Sequence, residues 1–333
     1  MSIKIGINGF GRIGKTIFRA AQKRKNISIV AINDISDFHY IGYMMKYDST
    51  HGVFSNSVKI EDNYIIVNKK KIYCISEKYP KNINWNQFDV DIVIEATGLF
   101  LDYKKSFQHI KSGAKKVILT APPISNDVPI FVMGINHKKY NNEKIISNAS
   151  CTTYCLAPIA KIIHENFGII EGFMSTIHAV TSTQKTVDGT TKKNWRFGRS
   201  AYQNIIPSST GAIYSIEKIL PELKNKLKGI SFRVPISNVS LLDLTIRLKK
   251  NINYEELFFH VKKASNSFLK GILNYTTDEV VSSDFNGETT TSIIDMKASQ
   301  ILNKNLIKLI SWYDNETGYS NKILDLIEYI SKK

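Results

Sequence analysis

Cysteine is scarce: three residues, at positions 74, 151 and 155, in a chain of 333. So few, and an odd number, build no disulfide framework, and the thiols read as free in a reducing compartment. Long apolar runs are also missing. Nothing approaches the roughly 18 to 20 residues that cross a bilayer, and Met1-Ser2-Ile3-Lys4 leads into a strand-like segment without a cleavable signal pattern. The expectation is a cytoplasmic protein with no membrane partner. Arginine is rare, with seven among the 45 basic residues, although the net charge is +16. Base and phosphate readers favour the bidentate guanidinium, yet here the lysines are scattered, with no basic run longer than Lys69-Lys70-Lys71. Abundant Lys, Asn and Ile is also what AT-rich coding produces. Nucleic acid is therefore not expected as the primary partner, and a basic RNA-binding module is the rival from another class.

The 18 glycines and eight prolines form no linker, repeat or low-complexity tract. With 43% hydrophobic and 22% charged residues, disordered and fibrous classes are excluded, and the length suggests two domains. In the first half short apolar runs alternate with helical patterns, which predicts a parallel sheet with crossover helices. Strands are expected at 3–8, 27–33, 90–96, 116–120 and 130–133, the stretch 145–148 is short and apolar, and helices are expected at 13–25 and after Cys151. The second half carries longer β-branched segments, at 172–180, 231–235, 239–248, 290–296 and 306–313, with helices at 211–220 and 254–269. That predicts a mixed or antiparallel sheet. A final helix, 317–330, places Ile323, Leu326, Ile327 and Ile330 on one stripe, suited to packing back on the first domain. The fold class is α/β, a doubly wound Rossmann sheet plus an α+β catalytic domain, divided as 1–150 with 316–333 and 151–315.

Three constellations carry chemistry. Gly9-Phe10-Gly11-Arg12-Ile13-Gly14 follows a strand and opens a helix, the context a dinucleotide fingerprint needs. Gly9 permits the turn, Gly11 lets backbone approach a pyrophosphate, and Gly14 lets helix and strand pack. Asp34 ends the second strand, 20 residues after Gly14, where a carboxylate binds ribose hydroxyls and repels a 2′-phosphate; NAD is favoured over NADP. Cys151 sits between Ser150 and Thr152 at a strand-to-helix junction, where a helix N-terminus would stabilise a thiolate. Cys155, one turn deeper, and Cys74 read as core residues, and a lone Cys-x-x-x-Cys makes a poor zinc site, so no metal is expected. Among seven histidines, His178 ends a strand and serves a structural or a catalytic role equally well; His51, in a Gly- and Asp-flanked loop, is its rival. Thr181, Arg199, Ser208-Ser209-Thr210-Gly211 and Arg233 form a third, anion-friendly group of hydroxyls, guanidinium groups and a helix start.

These segments resemble one family throughout. INGFGRIG at 7–14, YDSTHG at 47–52, SNASCTT at 147–153, QKTVDG at 184–189, QNIIPSSTGA at 203–212, FRVP at 232–235 and WYDNETGYSN at 312–321 look like phosphorylating glyceraldehyde-3-phosphate dehydrogenase. The resemblance implies Cys151 as nucleophile and His178 as its base. It implies a dinucleotide held by Gly9, Gly11, Arg12, Ile13, Gly14 and Asp34, with Lys78 by the adenine and Thr97 and Thr120 lining the site. Asn315 would fix the carboxamide and Tyr319 back the ring. Thr181, Arg199 and Arg233 would bind the substrate phosphate, and Ser150, Thr152, Thr210 and Gly211 the attacking inorganic phosphate. The family is homotetrameric, the loop at about 181–207 contributing to the interface. The nearest rival, erythrose-4-phosphate dehydrogenase, hydrolyses its acyl intermediate, and the complete second phosphate set favours the phosphorylating enzyme. Departures from the pattern are Tyr154 for Asn, Thr190 for Pro, Lys78 for Arg, and Phe197 and Tyr202 for small residues.

Overall fold

Parallel strands need long crossovers, usually helical, and the apolar runs of the first half are spaced to allow them. The computed structural model describes residues 2–61, 64–191 and 194–333. It divides into two units, of which the first runs to Phe131 and takes in His137–Ala149 and Ser320–Lys333. Its strands are β1 (Ile3–Asn8), β2 (Ile27–Asn33), β3 (Val58–Glu61), β4 (Tyr64–Val67), β5 (Lys70–Ile75), β6 (Ile92–Glu95), β7 (Lys116–Leu119) and β8 (Ile145–Ser147). They lie in the order β3-β4-β5-β2-β1-β6-β7-β8. From β5 to β8 all neighbours are parallel, while β3 and β4 add an antiparallel edge. Among the parallel strands the chain order reverses between β1 and β6, the switch point at which doubly wound sheets bind nucleotides.

Burial on both sheet faces explains the unbroken Ile/Val runs: all four residues of β6 are buried. Trp85, fully buried, lies so close to β1 that a Cβ on Gly6 would fall 2.6 Å from its indole. Helices α1 (Arg12–Ala21), α2 (Phe38–Lys46) and α3 (Tyr103–Lys111) link the strands. Helix α1 stops short of the expected Lys25, because the Lys23 and Arg24 amides turn back to Ala20 and Ala21. The freed Arg24 guanidinium reaches Asp325 at 2.7 Å and Glu328 at 3.3 Å on the C-terminal helix. No strand forms over 130–133. Ile130 makes one isolated bridge to Ser147, and Gly134, at φ +79°, turns the chain immediately afterwards.

The second unit comprises Val132–Asn136 and Ser150–Tyr319. After helix α4 (Cys151–Phe167) come β9 (Ile169–Ala179), β10 (Ile206–Ser208), helix α5 (Ala212–Ile219), β11 (Leu227–Val234) and β12 (Ser240–Leu248). Helix α6 (Tyr254–Ser265), β13 (Leu273–Thr276), β14 (Ser292–Asn303) and β15 (Leu306–Tyr313) follow, and helix α7 (Thr317–Ile330) starts at the end of this unit, its residues from Ser320 on belonging to the first. The sheet order is β10-β11-β9-β12-β15-β14-β13, parallel at β9/β11 and β13/β14 and antiparallel elsewhere. This is the mixed sheet expected. Helix α4 has almost no polar face, and twelve of its 17 residues are buried. It is a core helix, so its first residue starts from a rigid support. In α7, Ile323, Leu326, Ile327 and Ile330 are buried as the stripe requires.

Candidate active site

In the first unit the three loop glycines have three separate reasons. Gly9 adopts φ +93° and a Cβ there would fall 2.8 Å from Thr97; a Cβ on Gly14 would fall 2.2 Å from the Gly9 carbonyl. A Cβ on Gly11 would meet nothing within 4 Å. That position caps α1 without a side-chain hydrogen bond, so nothing within 4 Å of it crowds the helix start. Asp34 anchors the loop: its Oδ2 accepts from the Phe10 amide at 2.7 Å and its Oδ1 from Ser36 at 2.9 Å. Arg12 donates to Asp48 at 2.6 Å. Burial pushes the Asp48 carboxyl up, but the His51 amide, Arg12 and the Thr50 amide outweigh it and hold it down at about 2. His51 thus belongs to this loop, its amide bonded to Asp48 Oδ1. Thr97 and Thr120 stand at the ends of β6 and β7, bonded to Glu95. Lys78 lies 5.6 Å over the Tyr79 ring.

Glu95 is fully buried and sequence reasoning passed it over. It accepts from Thr97 N at 2.9 Å and Asn8 Nδ2 at 2.5 Å, and lies 3.0 Å from His109 Nε2. Trp85 Nε1 donates to His109 Nδ1 at 3.0 Å, so the ring's own proton sits on Nε2 and goes to Glu95. One carboxylate thereby ties β1 and β6 together below the loop. A Glu between two apolar residues and a Gly-rich turn was the only signal.

The second unit carries the thiol. Ser150 is the N-cap of α4, its Oγ accepting from Thr153 N at 3.2 Å, and Cys151 is the first helical residue. His178, near the end of β9, puts Nε2 at 3.5 Å from Cys151 Sγ. Its Nδ1 lies 2.8 Å from the Ala179 carbonyl, so a proton on Nδ1 would satisfy that carbonyl and leave Nε2 as an acceptor toward the sulfur, whereas a bare Nδ1 would accept from Arg233. Arg233 is paired in register with His178 on the parallel strand β11, and its Nη1 stands 2.6 Å from Nδ1. Burial and then the Arg233 charge push the His178 pKa down to about 3, so at neutral pH the imidazole is uncharged. The expectation of a lowered thiol pKa is corrected here. Burial pushes Cys151 up, and Arg233 and Thr152, which pull it down, do not overcome that. The pair rests as thiol and neutral imidazole, and His178 must remove the proton as the sulfur attacks.

Cys155 is wholly buried beside Ser292 and Ser311, and burial drives its pKa to about 12; Cys74, half-buried, is driven to about 11. The Thr152 hydroxyl turns inward to Tyr313 at 3.0 Å, and Tyr313 also reaches Thr176 at 2.7 Å. Tyr154 is accommodated by full burial: its hydroxyl accepts from the Met133 amide at 3.1 Å and its ring meets Tyr319 edge-on. Thr210 Oγ1 accepts from Ala212 N beside the N-cap Gly211 of α5. Thr181 bonds within its own turn to Gln184, and Arg199, exposed, pairs with Asp188 at 2.9 Å. Among the described residues no cluster of three or more His, Cys, Asp or Glu is arranged to hold a metal, and no helix is long and apolar enough to cross a membrane.

A doubly wound nucleotide-binding unit, joined in one chain to a unit with a helix-borne thiol and a histidine beside it, is the make-up of dinucleotide-dependent enzymes that use a cysteine. Residues 3–103 match the family model for the glyceraldehyde 3-phosphate dehydrogenase NAD binding domain, and 150–315 that for its C-terminal domain. Proteins named glyceraldehyde-3-phosphate dehydrogenase from Salmonella typhimurium and, as the A form, Escherichia coli K12 are 59% identical over 332 residues, covering 100% of both chains. One from Buchnera aphidicola of Schizaphis graminum is 59% identical over 333 residues, again covering 100% of both chains. The chain belongs to the glyceraldehyde 3-phosphate dehydrogenase family and is an NAD-dependent oxidoreductase.

Proposed function

We propose that the protein oxidises glyceraldehyde 3-phosphate to 1,3-bisphosphoglycerate in glycolysis, reducing NAD and consuming inorganic phosphate. The observation that carries the reading is the Cys151–His178 pair at 3.5 Å, with the His178 imidazole held uncharged by burial and the Arg233 charge; in its Nδ1-protonated tautomer Nε2 accepts the thiol proton. His178 takes the thiol proton as Sγ adds to the aldehyde carbon, and a thiohemiacetal forms on Cys151. NAD, held by the first unit's residues, would supply the hydride acceptor, and His178 would take the adduct's hydroxyl proton as the thioester forms. A phosphate oxygen then attacks the acyl carbon, the C–S bond breaks, and the sulfur is reprotonated through His178. Oxidation energy is retained in the acyl phosphate.

Gly9, Gly11, Arg12, Ile13, Gly14 and Asp34 hold the dinucleotide, with Lys78 at the adenine and Thr97 and Thr120 lining the cradle. Asn315 meets the carboxamide and Tyr319 backs the ring. Thr181, Arg199 and Arg233 take the substrate phosphate, and Ser150, Thr152, Thr210 and Gly211 the attacking one. Large apolar side chains lie bare on the second unit, Trp195 at 89% and Phe173 at 71% exposure among them. They support a homotetramer, working in the cytoplasm. The test is NADH formation from glyceraldehyde 3-phosphate with and without phosphate. Turnover saturates with phosphate, arsenate substitutes, and without either anion one burst per site stalls. Sustained turnover at full rate without phosphate would mark instead a hydrolysing enzyme of the erythrose-4-phosphate type.

A further inference from the structure

Three adjacent strands of the second sheet meet at one edge. β9 ends at Ala179, β12 begins at Ser240, and β15 ends at Tyr313, two residues before Asn315, with Ser240 in register with Tyr313. The Ser240 hydroxyl joins all three: it accepts from the Ala179 amide at 3.1 Å and donates to Asn315 Oδ1 at 2.9 Å. Ser240 is 1% exposed, and its side chain has no other partner among the described residues. The backbone before it is tightly determined. Asn238 Nδ2 is held by Asn286 and Asp314, each at 2.9 Å, and Val239 is kept at φ +65°, an unfavourable conformation for a β-branched residue.

A serine hydroxyl has one proton to place. With the Ala179 amide on a lone pair, that proton finds its acceptor in Asn315 Oδ1. Turning the amide over would set Nδ2 against the hydroxyl and strand the serine proton in the interior. The Asn315 amide therefore has a defined polarity, with Nδ2 directed away from Ser240 as an unused donor.

The geometry points to Ser240 as a positioning residue that sets which coenzyme ring substituent the site accepts. It locks Asn315 with a donor outward, so the site requires a carbonyl oxygen on the ring substituent and is indifferent to the amino group. This rests on the reading that Asn315 meets the nicotinamide carboxamide. An unrestrained asparagine would answer either half of a carboxamide.

The experiment measures dissociation constants by titration calorimetry on the full chain, without aldehyde, for NAD and for 3-acetylpyridine adenine dinucleotide. The analogue keeps the carbonyl oxygen and replaces the amino group by methyl. In Ser240→Ala the amide is free to turn; NAD finds a partner in both orientations, the analogue in one. Two equally populated orientations halve the competent fraction, so the analogue-to-NAD ratio of dissociation constants rises about twofold or more. Ser240→Thr keeps the native ratio, while Ser240→Cys, which fills the volume with a weak donor, raises it as Ala does. A ratio unchanged in both Ala and Cys variants, with both ligands weakened alike, makes Ser240 merely structural and overturns the proposal. Asn315→Ala separates the two failures. If it leaves both constants at native values, the assignment of Asn315 is wrong; if it weakens both ligands while the Ser240 variants keep the native ratio, only the role of Ser240 falls.

Discussion

Reactivity at Cys151 is a matter of its neighbour more than of its own pKa. Burial raises all three thiols, but only Cys151 has an uncharged imidazole nitrogen at 3.5 Å. Iodoacetamide is expected to label Cys151 first, then Cys74, with buried Cys155 last; peptide mapping reads the order. His178→Asn should slow the labelling on the order of tenfold or more, and an unchanged rate would remove His178 as the base. His178 also makes stability depend on pH. Its ordinary pKa of 6.5 applies unfolded and about 3 applies folded, so between those values the unfolded chain binds more protons. Stability is full above pH 6.5 and falls as pH drops toward 3, by a few kcal/mol at most at about 1.4 kcal/mol per unit. Urea midpoints across that range should flatten in His178→Asn. At Asp34, the carboxylate that takes the Phe10 amide is also the one expected to face the ribose. Asp34→Ala should narrow the NAD over NADP preference by about 1 to 3 kcal/mol, measured as a ratio of kcat/KM values. Equal use of both coenzymes by the native protein contradicts the reading.

At the scale of elements, the β1–α1 turn separates folding from binding. Gly14→Ala drives a Cβ to 2.2 Å from the Gly9 carbonyl, a backbone atom that cannot swing aside. It should lower Tm, at a cost of about 1 to 3 kcal/mol. Gly11→Ala meets nothing within 4 Å. It should melt like the native chain and still lose NAD affinity, since the new methyl occupies the approach to the helix start. Thermal melts paired with NAD titrations distinguish them, and a Gly11→Ala protein that binds NAD normally would place the pyrophosphate elsewhere. Helix α4 follows the same division of labour. Its apolar run sinks it into the second unit, and the Ser150 cap sets where it starts.

For the whole molecule, the exposed Trp195 and Phe173 side chains are ones that subunit association would cover. Sedimentation equilibrium should give four times the 37.8 kDa chain mass. Phe173→Asp, at an exposed position of β9, should shift that toward dimers or monomers. A native chain that sediments as a monomer would refute the homotetramer.

Periodicity and local chemistry were enough to read much of this protein. Alternating apolar and helical patterns specify the parallel sheet, because burial on both faces leaves no polar alternation; β1, β2 and β15 even fall at the expected residues. The Gly9–Gly14 turn and the Cys151 helix start were legible for the same reason, since each depends on contiguous residues. The failures are contacts between distant residues. The 130–133 run is apolar enough for a strand, yet its partner is a single residue of β8 and Gly134 ends it. The rise in the Cys151 pKa comes from the packing around it and not from its helix start. Spacing left His178 and His51 open and the family resemblance chose His178; the strand register that sets Arg233 beside its imidazole, and the 3.5 Å contact with the thiol, lay beyond the sequence. Ser240 and Glu95 were unreadable because a hydroxyl or carboxylate acquires a role only when other strands deliver its partners. Local patterns follow from what each residue does to its own backbone and solvent; tautomer, amide polarity and thiol pKa follow from what the fold brings within about 3 Å.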